Sequence, residues 1–194
     1  MGIQNEQLQI IAFKNLKEFR KWLSANHVNS KGIWLRFFKK DSGIKTITHD
    51  EALDEALCYG WIDGQLKKYD EKSWLQKFTP RRVKSIWSKR NIEHAENLMK
   101  LNKMKASGLI EINDAKKDGR WKKAYDSPAN MNVPDDFLLK LRKNKKALKF
   151  FETLNRANKY AITWRLQTAK KPETRERRML KILDMLSREE KFHY

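Results

Sequence analysis

The sequence predicts an α+β protein: a small N-terminal mixed α/β part of about four strands packed on a C-terminal helical bundle. Three observations carry this. Before Pro80, apolar residues alternate in short runs such as Ile33, Leu35 and Phe37, the period of a strand. After Pro80 they recur at helical spacing, as in Met179, Ile182, Leu183 and Leu186. The most loop-like stretch, with Pro128, Asn130, Asn132 and Pro134, separates helical segments and not strands. Residues 1–80 are therefore expected to form the α/β part and residues 81–194 the helical part, together one compact unit.

The elements follow in order. Residues 8–13 read as a short strand. Asn15 and Glu18 have the spacing of a capping box, and Leu16, Phe19 and Leu23 share one face of the helix they open. Residues 31–39 read as a strand, with Trp34 and Phe38 making its second face apolar too. That pattern suits a central position in the sheet. Thr48 and Glu51 form another capping box, Leu53, Ala56 and Leu57 the buried stripe behind it, and Gly60 suits the C′ position. Residues 62–69 and 73–78 read as a β-hairpin. Helices then begin at Ser88, Ser107, Pro134, Lys145, Asn155 and Pro172.

Composition narrows the function classes. The 194 residues include 43 Lys and Arg against 24 Asp and Glu, a net charge of +19. Such a field favours anionic partners: a small anionic molecule, nucleic acid, or an anionic membrane surface. A lysine-rich surface with no dedicated partner explains the same charge equally well. The one cysteine, Cys58, allows no intrachain disulfide, which suits a reducing compartment. Residues 1–13 lack the basic and apolar regions of a secretory signal. No apolar run reaches the roughly 18 residues of a spanning helix. The expectation is a cytoplasmic protein without a transmembrane segment.

Chemistry concentrates in two segments. Residues 55–65 gather Cys58, Tyr59, Gly60, Trp61, Asp63 and Gly64 at a helix-to-strand corner. About twenty residues on, residues 78–88 bring Arg81, Arg82, Ser85 and Trp87 just after Pro80. Guanidinium forks suit carboxylate or phosphate. A ligand site built of Trp61, Asp63, Gly64, Arg81, Arg82, Ser85 and Trp87 would take an anion at the arginines and an amine at Asp63. The same residues also read as architecture: Asp63 as a corner aspartate or salt-bridge partner of an arginine, and Trp87 as a ring buried under lysine stems. Trp34, Trp74 and Trp164 sit at core-like positions. Cys58 reads as a small buried apolar residue. His27, His49, His94 and His193 show no metal-ligand spacing, and no glycine-rich phosphate loop or nucleophile elbow is present. No cofactor is expected, and binding is favoured over turnover. The helix from Pro172, with Arg175, Arg177, Arg178 and Lys181 beside its stripe, reads as a docking helix with a basic face in preference to a membrane-surface helix.

These residues resemble the bacterial YdeI/OmpD-associated family, the bacteriocin-protection proteins. The resemblance rests on residues 34–40, residues 51–64 through Trp61-Ile62-Asp63-Gly64, Phe78-Thr79-Pro80-Arg81-Arg82 with Ser85 and Trp87-Ser88, Asp118-Gly119-Arg120-Trp121, and residues 160–175. It covers nearly the whole chain. What it implies is an association with an outer-membrane porin and with survival of antimicrobial peptides. It brings no catalytic residues. The C-terminal helices depart from it by being unusually rich in lysine.

Overall fold

The computed structural model describes residues 8–127 and 130–193. Residues 1–7 of the segment read for a signal, and Pro128 of the predicted loop, lie outside them. The chain forms two compact units, Met1–Ile86 with Asn91–Lys123, and Trp87–Arg90 with Ala124–Tyr194.

In the first unit the elements run β1 (Ile10–Ile11), α1 (Leu16–Asn26), β2 (Ile33–Phe38), α2 (His49–Cys58), β3 (Trp61–Lys68), β4 (Ser73–Pro80), most of α3 (Lys89–Lys100) and α4 (Ala106–Lys117). The four strands form one mixed sheet in the order β1-β2-β4-β3. β1 is parallel to β2, and the other pairings are antiparallel. The first strand is shorter than residues 8–13 and ends before Phe13, which is buried with its ring 5.1 Å from Phe19 of α1. Both N-caps form. The Asn15 side chain accepts from the Glu18 N–H at 3.0 Å, and Thr48 and Glu51 bond reciprocally at 3.2 and 2.8 Å.

β2 lies between two neighbours, as its apolar pattern predicts. Its faces differ, however. Ile33, Leu35 and Phe37 are fully buried, while Trp34, Arg36 and Phe38 are half-buried. Trp34 and Trp74 are thus only partly covered, and so is Trp164 in the second unit. The fully enclosed tryptophans are Trp61, 1% exposed, and Trp87, 2% exposed. The core-like assignment of Trp34, Trp74 and Trp164 is corrected to half-buried: Trp34 lies on the face opposite Ile33, Leu35 and Phe37, while Trp74 shares the covered face with Phe37 and is still only partly enclosed.

α1 and α2 pack side by side, joined by Arg20 and Glu55 through two bonds of 2.9 and 2.8 Å. Glu55 is buried and Arg20 half in solvent, so the fork brings its charge to the carboxylate without entering the core. The second unit is helical: α5 (Asp135–Arg142), α6 (Lys145–Thr153), α7 (Arg156–Gln167) and α8 (Pro172–Ser187). The predicted stripe of α8 holds, with Met179, Ile182 and Leu186 buried against Phe137, Phe151 and Leu166. Asn158, buried in α7, accepts from the N–H groups of Phe192 and His193 at 2.9 Å each and donates to the His193 carbonyl at 3.0 Å. One amide side chain thereby satisfies three backbone groups of the segment after α8. Among the described residues no helix is long and apolar enough to cross a membrane.

Candidate functional site

The corner at Gly60 is built by the backbone. α2 ends at Cys58, Tyr59 forms its C-cap, and Gly60 takes a φ of +75°, a region that costs other residues a steric penalty. The chain then reverses into β3. Four polar groups at the turn are taken up inside the fold. The Cys58 carbonyl accepts from the Lys105 N–H at 3.0 Å, and the Gly60 carbonyl from the Arg81 N–H at 2.9 Å. The Trp61 indole donates to the His27 carbonyl at 3.1 Å, and the Gly64 carbonyl accepts from Gln76 Nε2 at 2.8 Å. α4 lies so close that a Cβ on Gly108 would stand 2.4 Å from the Cys58 oxygen, and one on Gly60 would stand 3.0 Å from the Ser107 oxygen. Two glycines let helix and corner touch backbone to backbone. Cys58 is buried here, as read, and burial pushes its thiol up to about 12.

Asp63 points to the helix-covered face of the sheet. Its partner is His49, the first residue of α2, with Nε2 3.2 Å from Oδ2. The ring sits 6.1 Å from Phe37 and 6.3 Å from Phe78, above the aromatic core. Its other nitrogen is 3.4 Å from Asp50. The hydrogen bond to Asp63 raises the His49 pKa, against the opposing effect of burial. The sequence reading weighs His49 for metal-ligand spacing and passes over this pair. The signal was the reversal at Gly60, which lays β3 back along α2 and brings its first residues beside the helix.

The two arginines part company. Arg81 is buried and donates to the Ile86 carbonyl at 2.9 Å, closing the 81–86 loop on itself. Arg120 pins the same loop through the Ser85 carbonyl at 2.8 Å. Ser85 contributes its backbone in both directions, since its N–H donates to the Arg82 carbonyl at 2.9 Å. Arg82 is exposed, and Lys84 takes a φ of +63° at the loop's tip. A carboxylate does lie within electrostatic reach of Arg81 and Arg120: Glu111 of α4, half-buried, whose pKa is raised by burial and held back by both arginines. Trp87 belongs to the second unit, where its carbonyl accepts from Tyr125 N–H at 3.1 Å. So Trp61, Gly64 and Arg81 are knit into the corner, Asp63 faces a histidine, and Arg82 faces solvent.

Residues 11–111, more than half of the chain, match a family described as a domain of unknown function, DUF8412. The chain belongs to the DUF8412 family. The sheet, the corner and the His49–Asp63 pair all fall within the DUF8412 match. Residues 130–189, which hold α5 to α8, match the family described as bacteriocin-protection, YdeI or OmpD-associated. The resemblance read from the sequence is thus found again, over a shorter stretch: the blocks at 34–40, 51–64 and 78–88 lie in the DUF8412 range. No curated protein and no solved structure matches the chain.

Proposed function

We propose that this protein is a cytoplasmic resistance factor of the bacteriocin-protection type, aiding survival of envelope stress from antimicrobial peptides by binding a partner and not by turnover. The observation that carries the reading is the match of residues 130–189 to the bacteriocin-protection, YdeI or OmpD-associated family. Two properties support its form. The only thiol is buried with a pKa pushed up to about 12, far from an activated nucleophile. The net charge of +19 favours an anionic partner and repels cationic peptides, which argues against protection by soaking up such peptides. The test is deletion in the source bacterium followed by antimicrobial-peptide challenge. Survival drops on deletion and returns with the wild-type chain. Unchanged survival across peptides of different charge removes the reading.

A further inference from the structure

The sheet of the first unit has one face made of enclosed aromatics and aliphatics and another built quite differently. On the second face, cross-strand pairing sets Trp34 beside Lys77, and Leu75 between Arg36 and Lys67. Ile10 pairs with Trp34 from the other side and is 47% exposed. The Lys67 ammonium lies 4.2 Å from the Trp34 ring centroid and that of Lys77 6.0 Å away. The Arg36 guanidinium lies 4.4 Å from the Phe38 ring and 4.8 Å from that of Tyr69, which is 48% exposed. Flexible lysine stems over an indole mean that no packed helix occupies the ring's outer surface.

The charges on this face are unequal in kind. Arg36 is paired with Asp70 at 2.6 Å, so it acts as a planar wedge between two rings and adds little net charge. Lys67 and Lys77 form no ion pair among the described residues, and their contact is with Trp34. Trp34, Arg36 and Phe38 alternate along β2, so a planar guanidinium stands about 7 Å from each ring along the strand and the two rings are about 13 Å apart, four times the rise per strand residue. Several rings on one sheet face, a planar guanidinium and ammonium groups without ion pairs are the elements that hold single-stranded nucleic acid: bases stack on the rings while the cations meet the phosphates. A duplex keeps its bases stacked on each other and cannot use such a face.

We propose that this sheet face binds single-stranded nucleic acid, with Trp34, Phe38 and Tyr69 as the stacking surface and Lys67 and Lys77 as phosphate contacts. The inference is independent of the resistance reading. It is tested on the full-length chain by fluorescence anisotropy with labelled mixed-sequence single-stranded RNA and DNA, a duplex of the same sequence, and anionic lipid vesicles, over a range of salt. Single strands bind more tightly than the duplex. Tyr69→Ala, at an exposed position, weakens binding roughly 5- to 150-fold, the range for losing one stacked base. Lys67→Ala with Lys77→Ala lowers the slope of log affinity against log salt by about 1.4, since a single strand gives roughly 0.7 per phosphate contacted. Lys21→Ala with Lys103→Ala, which removes equal charge elsewhere on the first unit, leaves affinity within about twofold. Three results overturn the proposal: no single-strand binding at low salt, equal loss from both lysine pairs, or equal affinity for duplex or vesicles.

Discussion

The Gly60 corner and the outer face of β2 lie in one unit and teach opposite lessons. The corner crowds a thiol, aromatics, glycines and an acid into a few residues, and nearly every polar group there is bonded to the fold itself: Cys58 to Lys105, Gly60 to Arg81, Trp61 to His27, Asp63 to His49. The outer face looks ordinary as sequence, one alternating strand among lysines, yet it leaves Trp34 and Phe38 only half-buried, with Lys67 and Tyr69 exposed beside them. Chemical density along a chain can mark a place where backbone must be satisfied in a tight space. Availability to a partner depends instead on which face stays uncovered.

The sharpest way to break this comparison is to cut aromatic rings from the two faces in turn. Phe37 is enclosed and stacked on Trp74 with centroids 5.5 Å apart. Phe37→Ala is expected to cost roughly 3–5 kcal/mol, and Tyr69→Ala, which loses a contact with Arg36 at an exposed position, about 1 kcal/mol. Urea unfolding measures both, and similar losses would mean that the two faces are equally covered.

The corner's role as a joint is tested at Gly108. A Cβ there meets the Cys58 and Leu57 carbonyl oxygens at 2.4 and 2.7 Å, and both are backbone atoms that cannot swing aside. Gly108→Ala must lift α4 from the corner, an overpacking cost of about 1–3 kcal/mol. An unaltered unfolding midpoint would show that α4 does not rest on the corner as described.

The smallest effect is titratable. The His49 pKa is raised in the fold by Asp63, so the protonated histidine binds more tightly there than in the unfolded chain. The resulting stability is fully present below the unfolded pKa, about 6.5, and is lost as pH rises through the higher folded value. Asp63→Asn removes the largest part of that increment and leaves the smaller part due to Asp50. The stability difference between wild type and variant should therefore be largest in mildly acidic buffer and shrink as pH rises past neutrality. A difference that stays constant with pH would sink the assignment.

Local signals made much of the fold legible. Thr48 with Glu51 marked α2, Gly60 its end, and the spacing of Met179, Ile182 and Leu186 the buried side of α8. These are short-range effects of capping and periodicity. The DUF8412 part of the chain hid its long-range facts. Nothing near Gly108 announces that it must sit against Cys58, fifty residues earlier in the chain, because the reason is a close approach of two backbones. The spacing of His49 and Asp63 alone does not mark a pair; only the reversal at Gly60 between them does. The candidate site was read from residue types, and types do not say whether Arg81 is buried or Arg82 exposed.

The bond from Lys105 to the Cys58 carbonyl also sets an order of events during synthesis. A ribosome delivers the corner first and its cover 105 − 58 = 47 residues later. At roughly 5–20 residues per second, that leaves an interval of about 2–9 s. During it Leu57, Cys58 and Gly60 have emerged while the helix that closes over them has yet to be made. The nascent chain is most open to chaperones or proteases in that window, so slow codons between the corner and α4 would lengthen its exposure.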